Sequence, residues 1–330
     1  MQAMVHQGTK GLEGLKVMEM GEREPSKGEV KVALKNAGLN HRDLRVLFWD
    51  RSSEEPTILG SDGAGIVEAV GEGVTGLRSG EEVIINPSLG WPQKSEAPPE
   101  GFEILGVPTS GTFARSIVVP AENVEPKPAY LSWEEAGVLP LAALTGYRAV
   151  FTRGQLKDGE HVLIPGIGSG VATFMMLMAK AAGARVTVTS RSEKKRQRAL
   201  DLGADAAIDS NGNWGEQMDG EKVDLVIDSV GPATFQQALD RLKPGGRIVN
   251  FGETSGPKVE IPLRPFFIGQ FHFLGTTMGS GEEFKEMLRF VEAHQIRPAL
   301  DRVYPLAEAW DAFHRMNEGK QFGKIGLKID

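Results

Sequence analysis

The segment from His161 to Asp209 constrains the fold more than any other part of this 330-residue chain. An apolar run, Val162 to Ile164, enters a turn that carries Gly166, Gly168 and Gly170. A helical stretch, Val171 to Ala182, follows and stops at Gly183, and a second β-rich run covers Arg185 to Thr189. This spacing predicts a strand, a glycine turn, a helix and a parallel strand. Such a turn suits a pyrophosphate. Glycines let the backbone come close, and the helix N-terminus presents free N–H groups at its positive end. Gly168, Ser169, Gly170 and Val171 are therefore the candidate phosphate contacts.

The end of the second strand speaks to which dinucleotide binds. An NAD site places an acid there to bond the ribose 2′-hydroxyl. Here Ser190, Arg191 and Ser192 stand instead, followed by Lys194, Lys195 and Arg196. Ser190, Arg191 and Lys195 are the candidates for a 2′-phosphate, which a carboxylate would repel. NADP(H) is the expected cofactor. The competing reading makes 191–198 the solvated start of an ordinary helix.

After residue 160 the β-like runs recur at 161–164, 185–189, 206–208, 223–228, 247–251 and 271–275, with helical stretches between. That alternation predicts a Rossmann-type, doubly wound, parallel six-stranded sheet in an α/β protein. Ligands gather where such strands end. This singles out Ser229 and Val230, then Asn250, Phe251 and Gly252, then Thr276 and Met278. The first ~125 residues differ: short β runs at 30–34, 64–70, 81–86 and 114–120 alternate with turns. Residues 87–110 hold five prolines and Trp91 and read as a long irregular loop able to gate a pocket. Ser132 with Glu135 reads as a capping box opening a helix through Ala149.

Composition removes several classes. A net charge of −7 speaks against a nucleic-acid surface. With no cysteine there is no disulfide, no thiolate zinc site and no cysteine nucleophile. The first residues lack a signal-peptide apolar core, and no apolar run is long enough to span a bilayer. A cytoplasmic protein is expected, with no membrane partner.

Eight ordered stretches carry a family resemblance: AGLNHRDL (37–44), LGSDGAGIVEAVGEGV (59–74), GTFARSIVVPAENV (111–124), LPLAALTGYRA (139–149), the unit at 161–209, DSVGPATFQQAL (228–239), LKPGGRIVNFG (242–252) and GKIGLKI (323–329). The chain resembles the medium-chain dehydrogenase/reductase superfamily. The resemblance implies a GroES-like β-rich catalytic domain from 1–128 and 278–330, and a dinucleotide-binding domain over 129–277. It also implies a homodimer through the FHFLGTTM edge strand. Metal-bearing members place zinc ligands where this chain has Asn40, Ser61-Asp62 and Leu141, and a relay hydroxyl where it has Arg42. The resemblance is thus to the zinc-free branch of quinone oxidoreductases and enoyl reductases, with no metal expected.

By resemblance, Asn40 donates to a substrate carbonyl as negative charge develops there. The alternative makes it a turn residue bonding its own backbone. Asp43 is expected to pair with a nearby arginine. Thr145 falls where relatives contact nicotinamide, and His41 and Lys324 fall where relatives approach the pyrophosphate. Phe48, Trp49 and Trp91 are candidates for an apolar pocket or for core. The expected activity is zinc-independent hydride transfer from NADPH to a quinone or an activated alkene, an enone or enal. Two alternatives stay open: an alcohol dehydrogenase-like enzyme with an unconventional site, and a non-catalytic NADPH-binding sensor or structural protein.

Overall fold

A computed structural model describes residues 1–49 and 55–329. The chain divides into two compact units, Met1–Leu144 with Gly279–Asp330, and Thr145–Met278.

The first unit is β-rich. Its main sheet runs Val124–Pro126, Glu82–Ile85, Asp62–Val70, Glu29–Leu39, Lys324–Lys328, Leu300–Pro305, with Ser116–Pro120 also paired to Glu29–Leu39. Glu29–Leu39 is much longer than the five-residue run legible in the sequence, because it pairs with three neighbours along its length. Val30, Val32, Leu34 and Leu39 point into a core closed by Phe113, Phe313 and Leu327. Full burial of each such side chain contributes about 1.5–3 kcal/mol. Two registers matter for the site. Gly38 lies opposite Asp62, and Ile325 lies opposite Leu39.

The second unit holds six strands in the order Ala206–Asp209, Arg185–Ser190, His161–Ile164, Val223–Asp228, Leu242–Asn250, His272–Gly275, every neighbouring pair parallel. All six expected runs are strands, so this is the doubly wound sheet expected. The helix Gly170–Ala181 is buried nearly all round, from Ala172 to Met176 and again at Met178 and Ala179, and this packing holds its N-terminus at the glycine turn.

The expected single helix from Ser132 to Ala149 is corrected. The Ser132–Glu135 capping box forms, but the helix stops at Gly137 and a second covers Pro140–Tyr147. Proline has no N–H to continue a helix and disfavours helical backbone in the residue before it. A π-helical turn, Arg148–Arg153, follows. Residues 87–110 are not wholly irregular either. Ser88–Leu89 pairs with Glu103–Ile104, and buried Trp91 packs edge-on against Phe102 at 5.3 Å. Gly281 and Glu282 donate backbone N–H bonds to Trp91 and Pro92, so this loop is anchored to the helix Gly281–Ala293 of its own unit. No helix of the described residues is long and apolar enough to cross a membrane.

Candidate active site

In the nucleotide unit the glycine turn closes tightly. Gly168 has φ +122°, and a Cβ there would lie 2.9 Å from Lys195 Cδ; Gly166 has φ +75°, and a Cβ there would lie 2.7 Å from Val230 Cγ2. Both positions therefore require glycine on backbone and space alone. Ser169 is the N-cap of Gly170–Ala181: its Oγ accepts from Ala172 N at 3.1 Å. Gly170 and Val171 form the first turn of that helix, and the Gly170 carbonyl accepts from Thr173 Oγ1.

At the end of Arg185–Ser190 the Ser190 hydroxyl accepts from Ser192 N at 3.2 Å, and its carbonyl accepts from Arg196 Nη1 at 2.7 Å. Arg196 thus braces the corner. The Arg191 side chain is exposed, with no hydrogen-bond or ion-pair partner among the described residues. Lys195 lies over the glycine turn at Gly168. The basic run is therefore divided between turn, corner and solvent.

Buried Asp228 organises the next loops. Its carboxylate accepts from Val230 N and Gly231 N, both at 3.0 Å, and from Thr234 Oγ1 at 3.2 Å. Burial pushes this carboxyl up from the ordinary range, and those donors act against the shift. Ser229 O accepts from Thr254 Oγ1 at 2.9 Å. Asn250 Nδ2 donates to Gly252 O at 2.9 Å, and Phe251 N donates to Asp228 O at 3.1 Å. Thr276 donates its N–H to Asn250 O, but its buried Oγ1 has no partner. Met278 holds a positive φ of 39°, and its sulfur meets the Thr145 hydroxyl at 3.9 Å. An unpartnered hydroxyl and a strained backbone beside a threonine suit a site completed by a polar ligand. These residues fit a dinucleotide.

The catalytic candidates of the β-rich unit form a buried polar cluster. Lys324 Nζ donates to Asp62 Oδ2 at 2.9 Å, Asn40 Oδ1 at 2.5 Å and Leu39 O at 2.8 Å. Asn40 Nδ2 donates to Asp62 Oδ2 at 2.9 Å, and Leu141 N donates to Asp62 Oδ1 at 2.7 Å. Lys324 and Asp62 side chains are 2% and 0% exposed. Removing one partner of such a pair costs about 3–5 kcal/mol, because the other charge is left buried and unpaired. All three ammonium hydrogens are engaged within this cluster. Asn40, 6% exposed, gives one amide hydrogen to Asp62, and its Nδ2 also lies 3.5 Å from Gly38 O. His41 is exposed on the first helical turn after it.

Asp43 differs from expectation. Arg42 Nη2 donates to Val107 O at 2.7 Å instead of pairing with it. Asp43 Oδ2 accepts from Asn40 N at 2.7 Å, while its buried Oδ1 has no partner. Burial raises this carboxyl to about 7; the Asp62 charge adds to the rise, and the Asn40 N–H, Arg42 and Lys324 oppose it. Trp91 belongs to the packed loop, whereas Phe48 and Trp49 are exposed, the latter under the Arg42 guanidinium.

The metal positions of the family do not gather a zinc donor set. Ser61 Oγ donates to Leu105 O at 2.7 Å, Leu141 offers only its backbone, and Asp62 and Asn40 are held by Lys324. Among the described residues no group of three or more His, Cys, Asp or Glu could hold a metal ion. Zinc needs at least three good ligands, so the residues present do not fit it.

The sequence reading missed the Lys324–Asp62 pair. The signal was an acid and a lysine inside otherwise apolar strands, since charges buried in a sheet are paired. It also missed the capping role of Ser169, although a serine before a helical run carries that meaning.

Comparison with known proteins agrees with this architecture. Residues 26–129 match the alcohol dehydrogenase GroES-like domain, and residues 170–293 match the zinc-binding dehydrogenase family. A zinc-type alcohol dehydrogenase-like protein, YogA, of Leptosphaeria maculans is 34% identical over 92% of both chains. The acryloyl-coenzyme A reductase of Metallosphaera sedula is 28% identical over 99% of both. The crystal structure of an NAD-dependent alcohol dehydrogenase, 36% identical, superposes with a TM-score of 0.94 over the whole of both chains. The fold, the ordered motifs and these relatives together make this chain an oxidoreductase of the medium-chain dehydrogenase/reductase superfamily.

Proposed function

We propose that this oxidoreductase is a zinc-independent reductase that passes a hydride from NADPH to an activated alkene or a quinone. The observation that carries the reading is the Lys324–Asp62–Asn40 cluster, which takes up the side chains that a catalytic zinc would need. Alcohol oxidation leans on a Lewis acid to stabilise the alkoxide. An enone or quinone already carries an acceptor carbon activated by its carbonyl. The similarity to an acryloyl-coenzyme A reductase, named for an activated alkene, supports the same choice.

Bound NADPH supplies the hydride. Gly168, Ser169, Gly170 and Val171 would hold its pyrophosphate, with Lys195 above the turn. Ser190 and Arg191 would meet the 2′-phosphate. Ser229, Val230, Asn250, Phe251, Gly252, Thr276, Met278 and Thr145 would flank the nicotinamide. Asn40 and Lys324 act within the buried cluster, by setting its charge and shape. On alkene reduction the hydride goes to the β-carbon and a solvent proton to the α-carbon, so the carbonyl is regained. Loops held by Asp228 and Asn250 keep the ring side of the site in place.

A homodimer through the strand His272–Gly275 belongs to this proposal. That strand ends the sheet, and Phe267 and Ile268 beside it are 58% and 61% exposed. A cysteine-free chain also suits the reducing cytoplasm. The second reading, an alcohol dehydrogenase, is favoured by the names of the 34%- and 36%-identical relatives. A panel of enones, quinones, aldehydes and alcohols, followed at the NADPH absorbance band, separates the two. Enones or quinones are expected to turn over best; simple alcohols as the best substrates would reverse the choice.

A further inference from the structure

Three oxygens converge on one buried point in the β-rich unit. They come from a carboxylate, Asp62 Oδ2, an amide, Asn40 Oδ1, and a backbone carbonyl, Leu39 O, at 2.9, 2.5 and 2.8 Å from Lys324 Nζ. Their number matches the three hydrogens of an ammonium. Their chemistry also matches what a hard divalent ion takes: carboxylate, amide and carbonyl oxygens around one cation. The carboxylate and the amide are also held by bonds that do not involve the lysine, Asn40 Nδ2 donating to Asp62 Oδ2. Gly38 pairs opposite Asp62 in the sheet, and Asp62 Oδ1 is pinned by Leu141 N. The Asn40 backbone is pinned by Asp43.

We propose that Lys324 is a built-in cation that keeps a divalent metal out of this oxygen cluster, so that the unit carries its own positive charge where a metal would otherwise be drawn in. The proposal rests on the zinc-independent reading above and extends it from zinc to hard divalent ions. The excluded ligand is a hard divalent ion, not zinc in particular, because no nitrogen or sulfur donor faces the point.

The test uses full-length protein freed of metal by chelator and dialysis, titrated with Mn2+ and followed by the electron paramagnetic resonance signal of the free ion. Wild type, Lys324→Ala and the double variant Lys324→Ala/Asp62→Asn are compared. Wild type is expected to show no saturable site. Lys324→Ala is expected to bind one Mn2+ saturably, at concentrations at least about tenfold below any uptake by wild type, since a buried carboxylate has lost its counter-charge. The double variant is expected to lose that site. Mn2+ should also raise the melting temperature of Lys324→Ala alone. If Lys324→Ala does not fold, the double variant, with no uncompensated charge, is expected to fold, and Mn2+ is expected to rescue refolding of the single one. Equal binding by wild type and Lys324→Ala, or no binding and no rescue in the latter, overturns the role of Lys324. Elemental analysis of untreated wild type addresses the parent reading separately: stoichiometric zinc there overturns zinc independence itself.

Discussion

Replacing Asp43 by asparagine isolates the least comfortable group in the β-rich unit. Asp43 is fully buried, one of its oxygens has no partner, and its carboxyl stands at about 7 against an ordinary 3.8. The folded form therefore holds a proton that the unfolded chain releases. Linkage gives the sign. The stabilisation is fully present below pH 3.8 and is lost as pH rises through about 7. Each pH unit in that window removes about 1.4 kcal/mol, and the whole gap corresponds to about 4 kcal/mol. Asparagine keeps an oxygen to accept from Asn40 N and carries no charge. Asp43→Asn should thus gain on wild type steadily from pH 5 to pH 7 and level off above about 7.5. Denaturant unfolding of both proteins across pH 5–8 reads this directly, because every other group cancels in the difference. Parallel stability curves would refute the reasoning and place a neutralising partner on Asp43 Oδ1.

Three further outcomes follow from the geometry. Arg191 is exposed, so its bond to a 2′-phosphate sits at the low end for charge-assisted contacts, about 1.5 kcal/mol. Arg191→Ala should weaken NADPH about tenfold, leave NADH unchanged, and reduce the salt dependence of NADPH binding; equal affinities of wild type for both cofactors would return 191–198 to a solvated helix start. Ser169→Ala removes the cap on Ala172 N and should cost about 1 kcal/mol, read as a melting-temperature fall of about 2–4 °C; no change would mean that Ser169 is there for the phosphate alone. Phe273→Lys, on the exposed edge strand, should convert a dimer to a monomer by light scattering; a monomeric wild type would remove the dimer from the account.

Much of the nucleotide unit was legible because its signals are local. Each parallel strand carries a short β-rich run, each connection holds a helix, and the phosphate turn follows from glycines between them. The β-rich unit was less legible. The strand Glu29–Leu39 runs past the five-residue run at 30–34 because its remaining backbone groups find partners on strands far away in sequence. The break before Pro140 was readable from proline alone and was overridden by the helical pattern on either side. The Asn40–Asp62–Lys324 cluster lay beyond local reading. Its members are separated by 22 and 262 residues, and only the antiparallel register brings them to one point. Asn40 as a residue bonding its own local backbone was legible, since it caps the helix His41–Arg45; its place against the buried ion pair was not.

The central claim is hydride transfer without a metal. The most direct measurement is the rate of NADPH oxidation by an enone before and after exhaustive chelation, with the metal content of the same sample determined by elemental analysis. The account predicts an unchanged rate at a metal content far below one ion per chain. A rate that falls with the loss of a stoichiometric metal and returns when zinc is added back would contradict it.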